Sequence, residues 1–264
     1  MTSQNDIHTQ YAQIHTYITE HKMEPIHLSY EEFEQNTYGF HATPAKNIPE
    51  ILADGLKLPS DSTHSMIFDM DYVMEGESAD KKPSDAVYFF DALGGALNQF
   101  DMMSLYQKEK HDINILPSVI IFQTPAAENI DFDPEMHPEL HEKYIRAERQ
   151  TFLERRLART SPLLRWGETD SDGNYSSFFT IKPIPTEKLR YVCIPEEQLM
   201  ERMRTAQKQM KKIHLPPIEN FEEQIAFFAK HRNTDDPAIK EILDTLNFGM
   251  RVQCFTTPLT HSSD

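Results

Sequence analysis

Two periods of hydrophobic spacing alternate along this chain of 264 residues. Over residues 1 to 35 the spacing is helical: Ile7, Tyr11, Ile14, Tyr17 and Ile18 share one face, and Pro25 ends the pattern. Thr37 to Ala42 then reads as a buried strand that finishes in polar groups. A short helix follows, with Asn47 as N-cap, Glu50 completing a capping box, and Pro49 tolerated in the first turn. Ile48, Ile51, Leu52 and Leu56 give it a core-facing stripe, and Gly55 is placed for a left-handed C-terminal cap.

Residues 59 to 85 are rich in Ser, Asp, Lys, Pro and Gly and read as a long loop that would act as a lid over a site. Ala86 to Phe90 is a compact aromatic and β-branched strand. Asp91 caps a helix whose Leu93, Ala96, Leu97, Phe100 and Met103 share a face. Ser118 to Phe122 is a strand ended by Pro125, and residues 138 to 160 have a charged helical pattern. Tyr175 to Ile181 and Leu189 to Ile194 supply two more strands. Helices are expected at Glu196–Lys212, Ile218–His231 and Pro237–Asn247, with the last fifteen or so residues a tail. The pattern is α+β: an N-terminal helical segment over 1–30, a strand-rich domain over 31–195, and a helical appendage with its tail over 196–264.

Composition narrows the classes. A hydrophobic content of 39% suits a folded chain, and no run approaches the roughly 18 apolar residues of a membrane span. Met1 to Asp6 has neither a basic start nor an apolar stretch, so no secretory signal is expected. Cys193 and Cys254 are too few for a disulfide framework or a metal cluster, and Cys193 reads as a core residue. A reducing cytosol is the default location, which an exported effector without a cleavable signal would share. The formal charge of −16 disfavours a general nucleic-acid binder. Against it stands a cluster of Arg146, Arg149, Arg155, Arg156, Arg159 and Arg165, which either lines a local basic groove or pairs with Glu142, Glu148 and Glu154 on a helix surface.

Several constellations fail on their own chemistry. His137 and His141 have a zinc-binding spacing, but Pro138 lies between them and no third ligand is near. Glu168, Asp170, Asp172 and Gly173 imitate the opening of a calcium loop, yet its twelfth position is Phe179 instead of a bidentate glutamate. Gly94-Gly95 lies within a helical pattern and lacks the lysine of a phosphate loop, and no Gly-x-Ser-x-Gly elbow occurs. No metal is expected.

Three segments carry a resemblance. Phe40-His41-Ala42-Thr43, followed by Ile51-Leu52-Ala53-Asp54-Gly55-Leu56, is similar to the opening strand and helix of the ADP-ribosyltransferase superfamily, in its diphtheria-toxin and poly(ADP-ribose) polymerase branch. That strand ends there in His-Gly-Thr or His-Gly-Ser. Ala86-Val87-Tyr88-Phe89-Phe90-Asp91 resembles the second signature, Gly-Ile-Tyr-Phe-Ala-Ser/Asp, and Tyr175-Ser176-Ser177-Phe178-Phe179-Thr180 the third, Tyr-Asn-Glu-Phe-Ile-Val. Glu187 to Val192 echoes the closing strand, so the likeness covers roughly residues 37 to 195.

The resemblance implies a split antiparallel sheet with flanking helices, and NAD as substrate. His41 would bond the adenosine ribose, Ala42 and Thr43 would hold the nicotinamide amide through their backbone, and Tyr88, with Phe89 beside it, would stack on the nicotinamide. Ala42 replaces a glycine, which backbone contacts tolerate. Ser177 replaces the catalytic glutamate. Cleavage of NAD develops an oxocarbenium charge, and hydrogen bonds to the ribose hydroxyl strengthen with it. A carboxylate supplies roughly 1.5–3 kcal/mol there and a neutral hydroxyl about 0.5–1.5 kcal/mol. Two expectations follow. Either the chain is a mono-ADP-ribosyltransferase acting on an acceptor such as a protein, with Glu168, Asp170 or Asp172 supplying the charge, or it is an inactive domain that binds NAD, ADP-ribose or a protein partner. An RNA 2′-phosphotransferase-like enzyme, of the same fold, is disfavoured by the acidic charge.

Overall fold

The computed structural model describes residues 7–26, 38–61, 85–91, 93, 95–96, 99, 115–134, 136–157, 177–196, 208, 210–215, 230–231, 234–246 and 252–258. In chain order its elements are α1 (Ile7–Glu20), β1 (Pro25–Ile26), β2 (Tyr38–Pro44), α2 (Ile48–Asp54), β3 (Val87–Phe90), β4 (Pro117–Gln123), β5 (Ile130–Phe132), α3 (Pro138–Lys143), α4 (Arg146–Leu157), β6 (Ser177–Thr180), β7 (Leu189–Pro195), α5 (Pro237–Leu246) and β8 (Val252–Thr256). The strands form one open antiparallel sheet of eight in the order β1-β8-β7-β4-β2-β3-β6-β5. The protein is therefore α+β, with several short helices around that sheet.

β4 lies in the interior of the sheet, between β2 and β7. Its Val119, Ile120, Ile121 and Phe122 are all fully buried, which accounts for a continuous apolar run where a half-exposed strand would alternate. Ile120 and Phe122 face a core formed with α1, α2 and Leu153 of α4. Val119 and Ile121 face a second core with Tyr38, Phe40, Phe90, Tyr191 and the cysteines. The expected stripe of α1 packs on the first core, and its Gln10 Oε1 accepts a hydrogen bond from the Leu116 N–H at 2.9 Å.

The ladder is uneven. β2 and β4 share seven register pairs from Tyr38↔Gln123 to Pro44↔Pro117, whereas β2 and β3 share one, Phe40↔Phe90. β3 and β6 pair again over four positions. Across the weak junction runs a row of aromatic rings. Phe122 meets Phe89 edge-on at 5.3 Å, Phe89 lies 5.7 Å from Phe178, and Phe178 lies 5.1 Å from Phe132. Gly39 makes the first contact possible. A Cβ there would stand 2.5 Å from Phe122 and 2.8 Å from Phe89.

Several local expectations are corrected. Asn47 forms no side-chain cap, because a 3-10 turn over Ala45–Asn47 runs directly into α2 and leaves Asn47 in helical conformation. Its amide instead donates to Thr43 Oγ1 at 3.3 Å. Gly55 has φ 85° but an extended ψ of −179°, so the chain leaves the helix straight. Leu56 then exchanges backbone hydrogen bonds with Ile184 at 2.8 and 2.9 Å, and a side chain at Gly55 would strike the Ile184 carbonyl. The charged helix over 138–160 is broken at Tyr144, whose backbone is extended, into α3 and α4. β5 was not expected.

The supposed tail contains β8, which pairs with β7 over five positions and with β1 over two. The cysteines are paired as well: Cys193, expected as a core residue, stands opposite Cys254 of the supposed tail in that ladder and forms a disulfide with it, where no disulfide framework was expected. Disulfides persist in oxidising compartments, so the cysteines no longer support the cytosolic expectation. No described helix is long and apolar enough to cross a membrane. Of the helices expected in the appendage, α5 is described, and its Ile242 packs with Met210 in a small separate cluster. The helix expected after Asp91 lies mostly outside the described residues.

Two outcomes test this architecture. The disulfide closes a sequence separation of 61 residues, so Cys254→Ser should lower the unfolding free energy by about 2–4 kcal/mol in urea titrations, and wild type with reductant should match it. Gly39→Ala should cost roughly 1–3 kcal/mol in the same titration by forcing Phe122 and Phe89 apart.

Candidate functional site

His41, Ala42 and Tyr88 lie where the β2–β3 ladder ends, and Ser177 lies on the next strand, β6, opposite Phe90. Strand geometry alternates the direction of backbone groups along β2. Beyond its end the Ala45 N–H donates to Leu116 O at 2.9 Å, which points the odd-numbered residues His41 and Thr43 toward β4. Phe40 and Ala42 therefore turn their amides toward β3. Phe40 has its pair there in Phe90, and the ladder stops before Ala42. The backbone N–H and C=O of Ala42 thus point toward β3 past the last register pair, at an opening in the ladder.

His41 spans that opening. Its Nδ1 lies 2.8 Å from the Tyr88 carbonyl. A carbonyl only accepts, so Nδ1 carries the proton, and the neutral ring presents Nε2 as an acceptor suited to a sugar hydroxyl. Desolvation pushes the imidazole below its ordinary value of 6.5, and the bond to the Tyr88 carbonyl opposes the shift in part. Thr43 is buried; its carbonyl accepts from Ser118 Oγ at 2.6 Å and its hydroxyl from Asn47, which fixes the end of the strand.

Register divides the side chains between faces. Tyr88 stands opposite Phe179, and Phe90 opposite Ser177, so these four share a face with Phe40. His41, opposite Ile120, belongs to the other. A ligand touching both His41 and Tyr88 has to lie at the end of the β2–β3 ladder, past Phe40↔Phe90. Tyr88 is half-buried with its ring 5.8 Å from that of Phe179. The Phe89 ring is fully buried within the aromatic row, so only its backbone can approach a ligand.

Ser177 is 2% exposed, and its hydroxyl donates to Asp133 Oδ2 at 3.0 Å. Asp133 follows β5, is itself 3% exposed, and its N–H donates to Ser177 O at 2.9 Å. No carboxylate lies within two positions of Ser177 in sequence; the pairing of β5 with β6 brings Asp133 to it. Nothing local in the sequence marked Asp133, since its partner comes from another strand. Glu168, Asp170 and Asp172, expected to supply charge here, lie outside the described residues, as does most of the 59–85 loop.

Neighbouring groups are engaged structurally. Arg149 makes a two-pronged ion pair with Asp131 of β5, at 3.0 and 2.8 Å, instead of pairing along its own helix. Arg146 donates to the Glu128 carbonyl at 3.2 Å. His141 Nε2 donates to Phe132 O at 2.8 Å, while His137 packs edge-on against the Phe132 ring and lies 3.8 Å from Glu139. Among the described residues no three His, Cys, Asp or Glu side chains are grouped to hold a metal ion.

Comparison with family models, with curated proteins and with solved structures finds no match for this chain.

The state of His41 has a measurable consequence. The folded protein holds the His41 proton less tightly than the unfolded chain does, so His41 makes stability fall as pH drops below about 6.5 toward the lower folded value. His41→Gln should show a smaller loss of urea midpoint between pH 7 and pH 5.5 than wild type. An equal loss would assign the acid sensitivity elsewhere.

Proposed function

We propose that the opening between β2 and β3 binds NAD and that the chain is a mono-ADP-ribosyltransferase, moving ADP-ribose to an acceptor with release of nicotinamide. One observation carries the reading: three segments far apart in sequence, bearing His41, Tyr88 and Ser177, lie on the consecutive strands β2, β3 and β6. The single register pair between β2 and β3 supports a sheet split into two halves, as in the ADP-ribosyltransferase fold that the signatures resemble.

Each half contributes a separate kind of recognition. Nε2 of His41 accepts from a ribose hydroxyl, and the Ala42 backbone pairs with the carboxamide. Tyr88 offers an aromatic face for the nicotinamide ring, steadied by Phe179. Holding the dinucleotide at both ends aligns the ribosyl carbon for attack and removes the entropic cost of finding that geometry during reaction. The acceptor proposed is a protein side chain, because the charge of −16 opposes a polyanionic one.

A second reading has its own support. Ser177 is nearly buried and takes the place of a glutamate, which fits a domain that binds NAD or ADP-ribose without turnover. Labelled NAD incubated with the protein and a cell lysate separates the two. Transfer of label or release of nicotinamide is expected, with His41→Ala and Tyr88→Ala each reducing it at least about tenfold, roughly the 1.4 kcal/mol of one lost hydrogen bond or stacked ring. Calorimetric binding of NAD with no nicotinamide release, even at high protein concentration, would leave the non-catalytic reading.

A further inference from the structure

We propose that Asp133 supplies the carboxylate of this site, acting on the NAD ribose through the hydroxyl of Ser177. The inference rests on the NAD-cleaving reading above and concerns how that chemistry proceeds without the signature glutamate. Ser177 Oγ donates to Asp133 Oδ2 at 3.0 Å, and the Asp133 N–H returns a bond to the Ser177 carbonyl at 2.9 Å. The register Asp131↔Phe179 and Phe132↔Phe178 carries Asp133 opposite Ser177 at the next step. Ser177 is in turn opposite Phe90, on the face that bears Tyr88.

The direction of the hydroxyl bond gives the pair its chemistry. A serine that donates its proton to a carboxylate keeps its oxygen lone pairs as acceptors. A ribose hydroxyl bonding to Oγ completes a chain from sugar O–H to Ser177 to the Asp133 carboxylate. Hydrogen bonds in such a chain polarise one another, most strongly where water is excluded, and both residues are at least 97% withdrawn from solvent. In the reaction the bond between the ribosyl carbon and the nicotinamide nitrogen breaks, and its electron pair leaves with nicotinamide. Positive charge grows on the sugar, and Ser177 transmits the stabilising charge of Asp133 to it without a proton having to cross. The new bond forms to the acceptor, whose proton passes to solvent.

Ser177 would be the catalytic residue, because it touches the ribose, and Asp133 a positioning residue that acts through it. A purely structural pair would tie β5 to β6, and its loss would change stability while leaving kcat intact. Both residues are buried, so a ribose reaching Oγ must displace the side chains that cover it.

Kinetic constants for NAD cleavage and thermal midpoints decide the matter in wild type, Asp133→Asn, Ser177→Ala and the double variant. Asp133→Asn should lower kcat roughly tenfold, the interval between a charge-assisted and a neutral hydrogen bond, with KM for NAD within about twofold. The double variant should be no slower than Ser177→Ala alone, because the carboxylate acts only through the hydroxyl. Ser177→Thr, which keeps a hydroxyl, should retain kcat within about threefold, and this comparison stands even where Asp133→Asn does not fold. Wild-type kcat in Asp133→Asn, losses that multiply in the double variant, or Ser177→Thr as slow as Ser177→Ala would overturn the proposal. Wild-type turnover with both single variants unaffected removes this inference alone, whereas no turnover in wild type removes the NAD-cleaving reading and the inference with it.

Discussion

The packing of Phe122 against Phe89 across Gly39 is the contact on which the arrangement of the sheet turns. β2 and β3 share only Phe40↔Phe90, too little backbone pairing to hold two halves of a sheet in register. The aromatic row does so instead, carrying the core from β4 past β2 to β3, β6 and β5. Dispersion between close-packed rings substitutes for ladder hydrogen bonds there. Glycine is required at position 39 by the same contact, since any side chain would occupy the volume of the two rings.

That substitution bears on the proposed site. Were β2 and β3 fully paired, the Ala42 amides would be spent on the ladder and His41 would have no gap to span. The core joins the strands through the aromatic row, and the β2–β3 register pairing ends at Phe40↔Phe90. The imidazole–carbonyl bond from His41 to Tyr88 then sets the spacing of the opening with a single directional contact. On the far half, β5 adds a third strand whose Asp131 is anchored by Arg149, and the buried Asp133 that follows it meets Ser177. The same pairing that extends the sheet therefore delivers a carboxylate to the site.

The outer strands follow a different logic. β8 is short, mixed in composition and close to the end of the sequence, and it is secured by the ladder to β7, by the disulfide and by the Thr256 N–H to Glu24 O bond. β1 is only two residues long and depends on β8 as its neighbour. Cross-linking a strand of this kind constrains the unfolded chain more than it adds contacts to the folded one.

What was legible in the sequence is what local periodicity encodes. The stripe of α1, the apolar runs of β4 and β7, the aromatic strand at Val87 to Phe90 and the helix after His41 all stand out, because each buries a face whose spacing matches its own geometry. Periodicity placed the strands that bear His41, Tyr88 and Ser177, but these three residues were singled out by the resemblance of their segments to the three signatures. β5 was not, because Ile130-Asp131-Phe132 is too short and too polar at its centre to show a period. β8 resembled a tail until β7 supplied its partner, and the two cysteines could be paired only once those strands lay in register. Asp133 is the sharpest case. Its proximity to Ser177 comes from strands that meet across a separation of 44 residues, and tertiary pairing alone decides which carboxylate faces which hydroxyl, because a side chain's own neighbours in sequence carry no record of the strand folded against it.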